Sequence, residues 1–217
     1  MRKLSDKEAA KLLNRWGIPY TEHFLAESPE QAARFADKVG YPVVLKVESP
    51  DVIHKTETGG VEINLRDRED VRRAFSNIKR NVKKNIPKAR IKGVLVQKML
   101  EGREVIVGSN IDPQFGPVIM FGLGGIFVES LKDVTFRVIP INRNDAKEMI
   151  KEIKGYKILR GVRGMKPINF RALENCLLAV SEMMWKSRKP AIKELDINPL
   201  FVNEKYAVAA DVRIIVN

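Results

Sequence analysis

Two spacings of apolar residues alternate along this chain of 217 residues and mark out its elements. Ala9, Leu12, Leu13 and Trp16 recur at the helical period. Ser5 and Glu8 form a capping box in front of them, and Gly17 ends the run. A second helix starts at Ser28-Pro29, with Gln31 as the box partner and proline in the first turn, and stops at Gly40. Val71, Ala74, Phe75, Ile78 and Val82 carry a third. Asn144 caps a fourth, DAKEMIKEI, and a long one runs from Asn169 to about Arg188 with Leu173, Leu177, Val180 and Met184 on one face. Short apolar runs between them read as strands: 42–47, 61–65, 93–100, 103–111, 117–123 and 134–141. IKELDINPLFV and YAVAADVRIIV form a hairpin around Asn203-Glu204, while 154–168 reads as a loop or short turns. Helices and strands are intermixed, with strands close enough to pair antiparallel, which predicts an α+β (mixed α/β) protein.

Composition adds limits. The chain is 44% hydrophobic and 30% charged, so it carries a packed core. No apolar run approaches the roughly 20 residues of a membrane-spanning helix, and MRKLSDKEAA lacks the apolar stretch of a signal peptide. We therefore expect a cytoplasmic protein with no membrane partner. The single cysteine, Cys176, excludes an internal disulfide and sits at helical spacing as a buried thiol. A formal charge of +12 suits either nucleic acid or smaller phosphates. The densest basic run, Lys79 to Lys92, lies on the outer face of an amphipathic helix with few aromatics to stack on bases, so no nucleic-acid partner is expected.

Four stretches carry candidate chemistry. Lys46 lies within the apolar run VVLKV, and a buried ammonium needs an anion, for which phosphate is well suited. ESPDVIHKTETGGVEI holds His54, with Gly59-Gly60 able to admit phosphate oxygens to backbone N–H groups. In ELDINPL, Glu194, Asp196 and Asn198 share one face of a strand, and Asp211 lies across the hairpin; such hard oxygen donors suit Mg²⁺. Gly122, Gly124 and Gly125 make a tight turn or admit a ligand, and Asp133 with Arg137 forms either an ion pair or an anion site. On spacing alone each has a plainer reading: an edge-strand lysine, a structural histidine, a solvent-facing strand side, a tight turn.

Together these stretches resemble the ATP-grasp domain of ADP-forming acyl-CoA synthetases, in particular the separate β subunit found in archaea. SPDVIHKTETGGV is similar to the family's phosphohistidine segment, and FGLGGIFVESLKDVTFRVIPI and ELDINPL are typical of it. The resemblance implies an ATP-grasp fold of two α+β lobes gripping a nucleotide between them, here about residues 1–97 and 98–217. It implies that His54 is transiently phosphorylated, that Lys46, Gly59 and Gly60 hold nucleotide phosphates, and that Gln97, Lys98 and Met99 form the hinge against adenine, largely through backbone groups. Glu104 would lie near the ribose, and Asn198 and Asp211 would hold Mg²⁺. ATP/ADP and Mg²⁺ are the implied ligands. A CoA-binding α subunit is the implied partner, in a complex of two α and two β chains. Another ATP-grasp carboxylate ligase, or a nucleotide-sensing regulatory module, is the alternative.

Overall fold

Every strand expected from the short apolar runs is present. The computed structural model describes residues 1–52, 54–125, 133–162, 164–187 and 191–217. Its elements in chain order are β1 (Arg2–Lys3), α1 (Asp6–Arg15), β2 (His23–Ala26), α2 (Pro29–Val39), β3 (Val43–Glu48), β4 (Val61–Leu65), α3 (Arg68–Asn85), β5 (Gly93–Lys98), β6 (Arg103–Asp112), β7 (Gly116–Leu123), β8 (Val134–Val138), α4 (Arg143–Glu152), α5 (Tyr156–Leu159), α6 (Phe170–Lys186), β9 (Ile192–Val202), β10 (Ala207–Ala209) and β11 (Val212–Val216). They divide into two compact units: Thr21–Leu100, and Met1–Tyr20 with Glu101–Asn217. Among the described residues no helix is long and apolar enough to cross a membrane.

The smaller unit is a four-stranded antiparallel sheet, ordered β2-β5-β3-β4, with α2 and α3 on one face. Strand periodicity sorts its side chains. Val43, Leu45, Val47, Val94 and Val96 join Ala33, Ala36, Phe75 and Ile78 in one core. Lys46 and Gln97 alternate with them, so they point away from the helices. The basic face of α3 is solvated, as its amphipathic pattern implies, and Arg68 is paired with Asp37 at 2.5 Å.

The larger unit is a seven-stranded sheet, ordered β1-β11-β9-β6-β7-β8, with β10 also on β9. Leu13 of α1, Met149 of α4 and Leu173 and Leu177 of α6 bury one face against Val107, Ile119, Phe121, Leu195, Ile197 and Ile214. Glu194 and Asp196 alternate with Leu195 and Ile197, so they lie on the opposite face. Residues 1–20, expected with the first lobe, pack here instead. Arg2 pairs with Val216, Leu4 N–H donates to the Ile214 carbonyl, and Ala9 and Leu13 enter this core.

Three local expectations change. Asn142 rather than Asn144 caps α4: its side chain accepts from the N–H groups of Asn144 and Asp145, and the Asp145 carboxylate accepts from Asn142 N–H. The reciprocal box starts the helix a residue before Asn144. Residues 154–168 include the short helix α5, seated by the buried Leu159. Asp133 and Arg137 are separate. Asp133, buried, accepts from Lys154 and Gly155 N–H at 2.7 Å each, whereas Arg137 pairs with Glu152. The hairpin expected around Asn203-Glu204 forms, but β9 is shared: its second half pairs with β10 and its first half with β11.

Candidate functional site

His54 sits on a turn between β3 and β4, in the smaller unit. Its side chain is 71% exposed, and Nδ1 lies 3.8 Å from Glu57 Oε1. The turn beneath it is firmly built. Thr58 N–H and Oγ1 donate to the His54 carbonyl, Gly59 N–H to Thr56, and Gly60 N–H to Lys55. The glycine pair has a packing reason. Gly59 adopts φ +66°, and a Cβ there would stand 2.9 Å from Asn81 Cβ; one at Gly60 would stand 2.6 Å from Val47 Cγ1. Each end is also tied down. Arg90 N–H, Nε and Nη2 all donate to the Asp51 carboxylate, and Asn85 Nδ2 donates to the Thr58 carbonyl at 3.1 Å. His54 is therefore presented to solvent from a short arc held at both flanks. Asn81, Asn85 and Arg90 were not legible as supports, because each lies more than twenty residues from the turn and only the fold brings it there.

The Arg90 side chain, then its backbone N–H, pull the Asp51 carboxyl down to about 2. The sign follows from linkage: a carboxyl more acidic in the folded chain than its ordinary value near 3.9 stabilises fully above about pH 4 and loses that contribution as pH falls toward 2. Near neutral pH the anchor is thus constant. In an NMR titration we expect Arg90→Ala, which removes the side-chain donors and keeps the backbone N–H, to raise the Asp51 carboxyl part of the way back toward 3.9 and to speed amide exchange at Thr58 and Gly60. Titration of Asp51 near 4 in the unaltered chain contradicts the anchor.

Lys46 is buried in β3, opposite Val61 on one side and Leu95 on the other. Gln97, one strand over, is almost fully buried, and its Nε2 finds no hydrogen-bond partner among the described residues. A buried donor left unmade costs about 1–3 kcal/mol, so this position suits a ligand acceptor such as a purine ring nitrogen. The other two residues expected at the hinge are committed elsewhere. Lys98 Nζ donates to the carbonyls of Gly40 and Tyr41, at 2.8 and 2.7 Å, where α2 ends. Met99 N–H donates to the Pro42 carbonyl at 3.1 Å. Of these three residues the Gln97 side chain, not Met99 N–H, is the available donor among the described residues.

In the larger unit, Asn198 and Asp211 are adjacent. The Asn198 N–H donates to the Asp211 carbonyl at 3.2 Å, at the point where β9 passes from β11 to β10. Asp211 Oδ1 also accepts from Val212 N–H. Among the described residues no group of three or more His, Cys, Asp or Glu side chains is placed to hold a metal ion. One carboxylate and one amide oxygen fit Mg²⁺, which keeps waters and substrate phosphates in its shell, better than a cation needing a full protein cage. Glu104 lies near the start of β6, opposite Phe201. Its carbonyl accepts from Gly124 N–H, and a Cβ at Gly124 would come within 2.9 Å of Glu104, so a close approach explains that glycine. The rest of the glycine-rich stretch, 126–132, lies outside the described residues. Cys176 is buried, and burial pushes its thiol up to about 12, which removes it as a nucleophile.

Comparison with known proteins shows the family of the chain. A family model described as an ATP-grasp domain matches residues 1–216. The β subunit of ADP-forming acetate–CoA ligase I from Pyrococcus furiosus is 51% identical over 215 residues, covering 99% of this chain and 92% of that one. An acetyl-coenzyme A synthetase of Ca. Korarchaeum cryptofilum, solved with coenzyme A and Ca-AMPCP, superimposes with a TM-score of 0.93 at 45% identity, over 100% of this chain and 94% of that one. Another structure of that synthetase, with coenzyme A and Mg-AMPPCP, matches with a TM-score of 0.83 at 41% identity, over 100% and 93% of the two chains. There the phosphohistidine segment points towards the nucleotide binding site.

Proposed function

The chain belongs to the ATP-grasp domain family, and from that membership we propose that it is the nucleotide-binding β subunit of an ADP-forming acetate/acyl-CoA ligase, relaying a phosphoryl group through His54. The reaction is acyl-CoA + ADP + phosphate ⇌ carboxylic acid + CoA + ATP. A CoA-binding α subunit forms the acyl phosphate and passes the phosphoryl group to His54, which delivers it to ADP. The single observation that carries the relay is the His54 turn. A ring that only stabilised the fold would be packed, whereas this one is 71% exposed on an arc tied at both flanks.

The chemistry asked of the residues is modest. Phosphoryl transfer needs alignment and charge neutralisation more than covalent help. Neutral imidazole is itself a nucleophile. Lys46 supplies a fixed positive charge for nucleotide phosphates, and Gln97 Nε2 a donor for the base. Asn198 and Asp211 would hold Mg²⁺, which when bound neutralises phosphate charge. Gly59 and Gly60 serve chiefly to shape the turn. The complex contains two α and two β chains and works in the cytoplasm.

Incubation with Mg²⁺ and γ-labelled ATP tests the relay. The expected result is close to one acid-labile, base-stable phosphate per chain, on His54. No uptake, with the CoA-binding partner present, refutes it.

A further inference from the structure

The face of the smaller sheet turned away from α2 and α3 carries one buried amide on an apolar ground. Gln97 on β5 is in register with Val44 on β3, and Leu95 with Lys46. Strand periodicity puts all four side chains on this face. Leu95 is buried yet stands outside the core that the helices cover, and Val44 is half-buried beside it. Lys46 is the diagonal neighbour of Gln97, roughly 7–8 Å away. Gln97 itself is 1% exposed, and its Nε2 has no hydrogen-bond partner among the described residues.

The backbone here is spent on the sheet. Met99 N–H bonds the Pro42 carbonyl, and bonded pairs recur at every second residue of an antiparallel ladder, so the next such pair joins Gln97 to Val44. A methionine of similar length would fill the position without an unmade donor, so the amide answers to a ligand and not to packing. It offers a donor and an acceptor side by side. Its oxygen accepts two hydrogen bonds, so it can serve a ligand donor whatever else it meets. Adenine presents the matching pair, N7 as acceptor and the 6-amino group as donor, whereas guanine puts an oxygen where that amino group stands. Facing guanine, the amide oxygen meets O6; turned over, it meets N7.

We infer that Gln97 selects the base of the nucleotide: Nε2–H donates to N7 of adenine and Oε1 accepts from its 6-amino group, with Val44 and Leu95 beneath the ring. The inference rests on the nucleotide-binding reading proposed above and names the base that site takes. The resemblance implies a hinge that reads adenine largely through backbone groups. In this chain the Met99 N–H is committed, and the contact passes to the Gln97 side chain. Lys46, on the same face, serves the phosphate end. A two-point amide contact of this kind separates the right base from the wrong one by about 10- to 100-fold in affinity.

The test titrates the full chain with the Mg²⁺ complexes of three nucleotides: ADP, inosine diphosphate, which carries oxygen in place of the 6-amino group, and 7-deaza-ADP, which lacks N7. ADP should bind about 10- to 100-fold tighter than inosine diphosphate and about tenfold tighter than 7-deaza-ADP. Gln97→Met should bring all three within about threefold of one another. It should also raise the Tm of the nucleotide-free chain by about 2–4 °C, because the unmade donor is gone. Gln97→Glu keeps the acceptor and loses the donor, so it should keep the preference over inosine diphosphate and lose that over 7-deaza-ADP. Affinities for ADP and inosine diphosphate within threefold in the unaltered chain, or a preference that survives in Gln97→Met, overturn the inference. If Gln97→Met does not fold, Gln97→Glu decides: a tenfold preference for ADP over 7-deaza-ADP in that variant overturns it. Failure of the unaltered chain to bind any of the three strikes the nucleotide-binding reading itself instead.

Discussion

Replacing His54 with Ala abolishes acid formation from acyl-CoA, ADP and phosphate while leaving Mg-ADP affinity within about twofold. The loss is large because no other described group can take over the covalent step. Cys176 is buried with its thiol pushed up to about 12, and His23 is tied into β2 with Nδ1 3.3 Å from the Thr21 carbonyl. Removing a covalent nucleophile costs on the order of a millionfold where catalysis is fully nucleophilic. The fold is not at stake. The His54 side chain is mostly exposed, and its backbone carbonyl, which accepts from Thr58, survives the substitution. Steady-state acid release with the partner, alongside a nucleotide titration, checks both halves. Activity above about 1% of the unaltered chain contradicts the relay.

Replacing Asp211 with Ala weakens Mg-ADP binding by close to a hundredfold, or about 3 kcal/mol, and leaves metal-free ADP binding nearly unchanged. Asn198→Ala, which removes a neutral oxygen, has the smaller effect, about tenfold. The two residues meet at the break in β9 pairing, where the backbone bond from Asn198 to the Asp211 carbonyl holds them side by side. Titrations with Mg²⁺ and with a chelator separate metal ligation from a general loosening. Equal weakening under both conditions assigns Asp211 a structural role.

The elements were legible wherever one face of a helix or strand is buried locally. Ser5 with Glu8 begins α1, and the Asn169 side chain accepts from Ala172 N–H at the start of α6, as sequence-local chemistry requires. Misses came where two boxes competed. Asn142 won over Asn144 because only Asn142 has a carboxylate three residues on to return the bond. β2 was passed over for a different reason. Its four residues, HFLA, contain one residue with little side chain to count, and the strand exists because β5 lies beside it. The lobe boundary shifted likewise, since nothing in MRK announces a partner at Ile215 and Val216.

The candidate site divides along the same line. Sequence alone determined the chemistry on offer: a histidine beside a glycine pair, a lysine in an apolar strand, an acidic strand ending in Asn-Pro, and a resemblance that ties them to phosphate transfer. Residue identity and short spacing are local properties, so a linear reading retains them. Tertiary structure decided which groups are available. It placed the Lys98 ammonium on the carbonyls ending α2, gave Met99 N–H to Pro42, and left Gln97 Nε2 unpartnered among the described residues. It also joined Arg90 to Asp51 across 39 positions and Arg213 to Glu194 across 19. A hydrogen bond forms between groups that are near in space. Only the folded chain sets which groups those are.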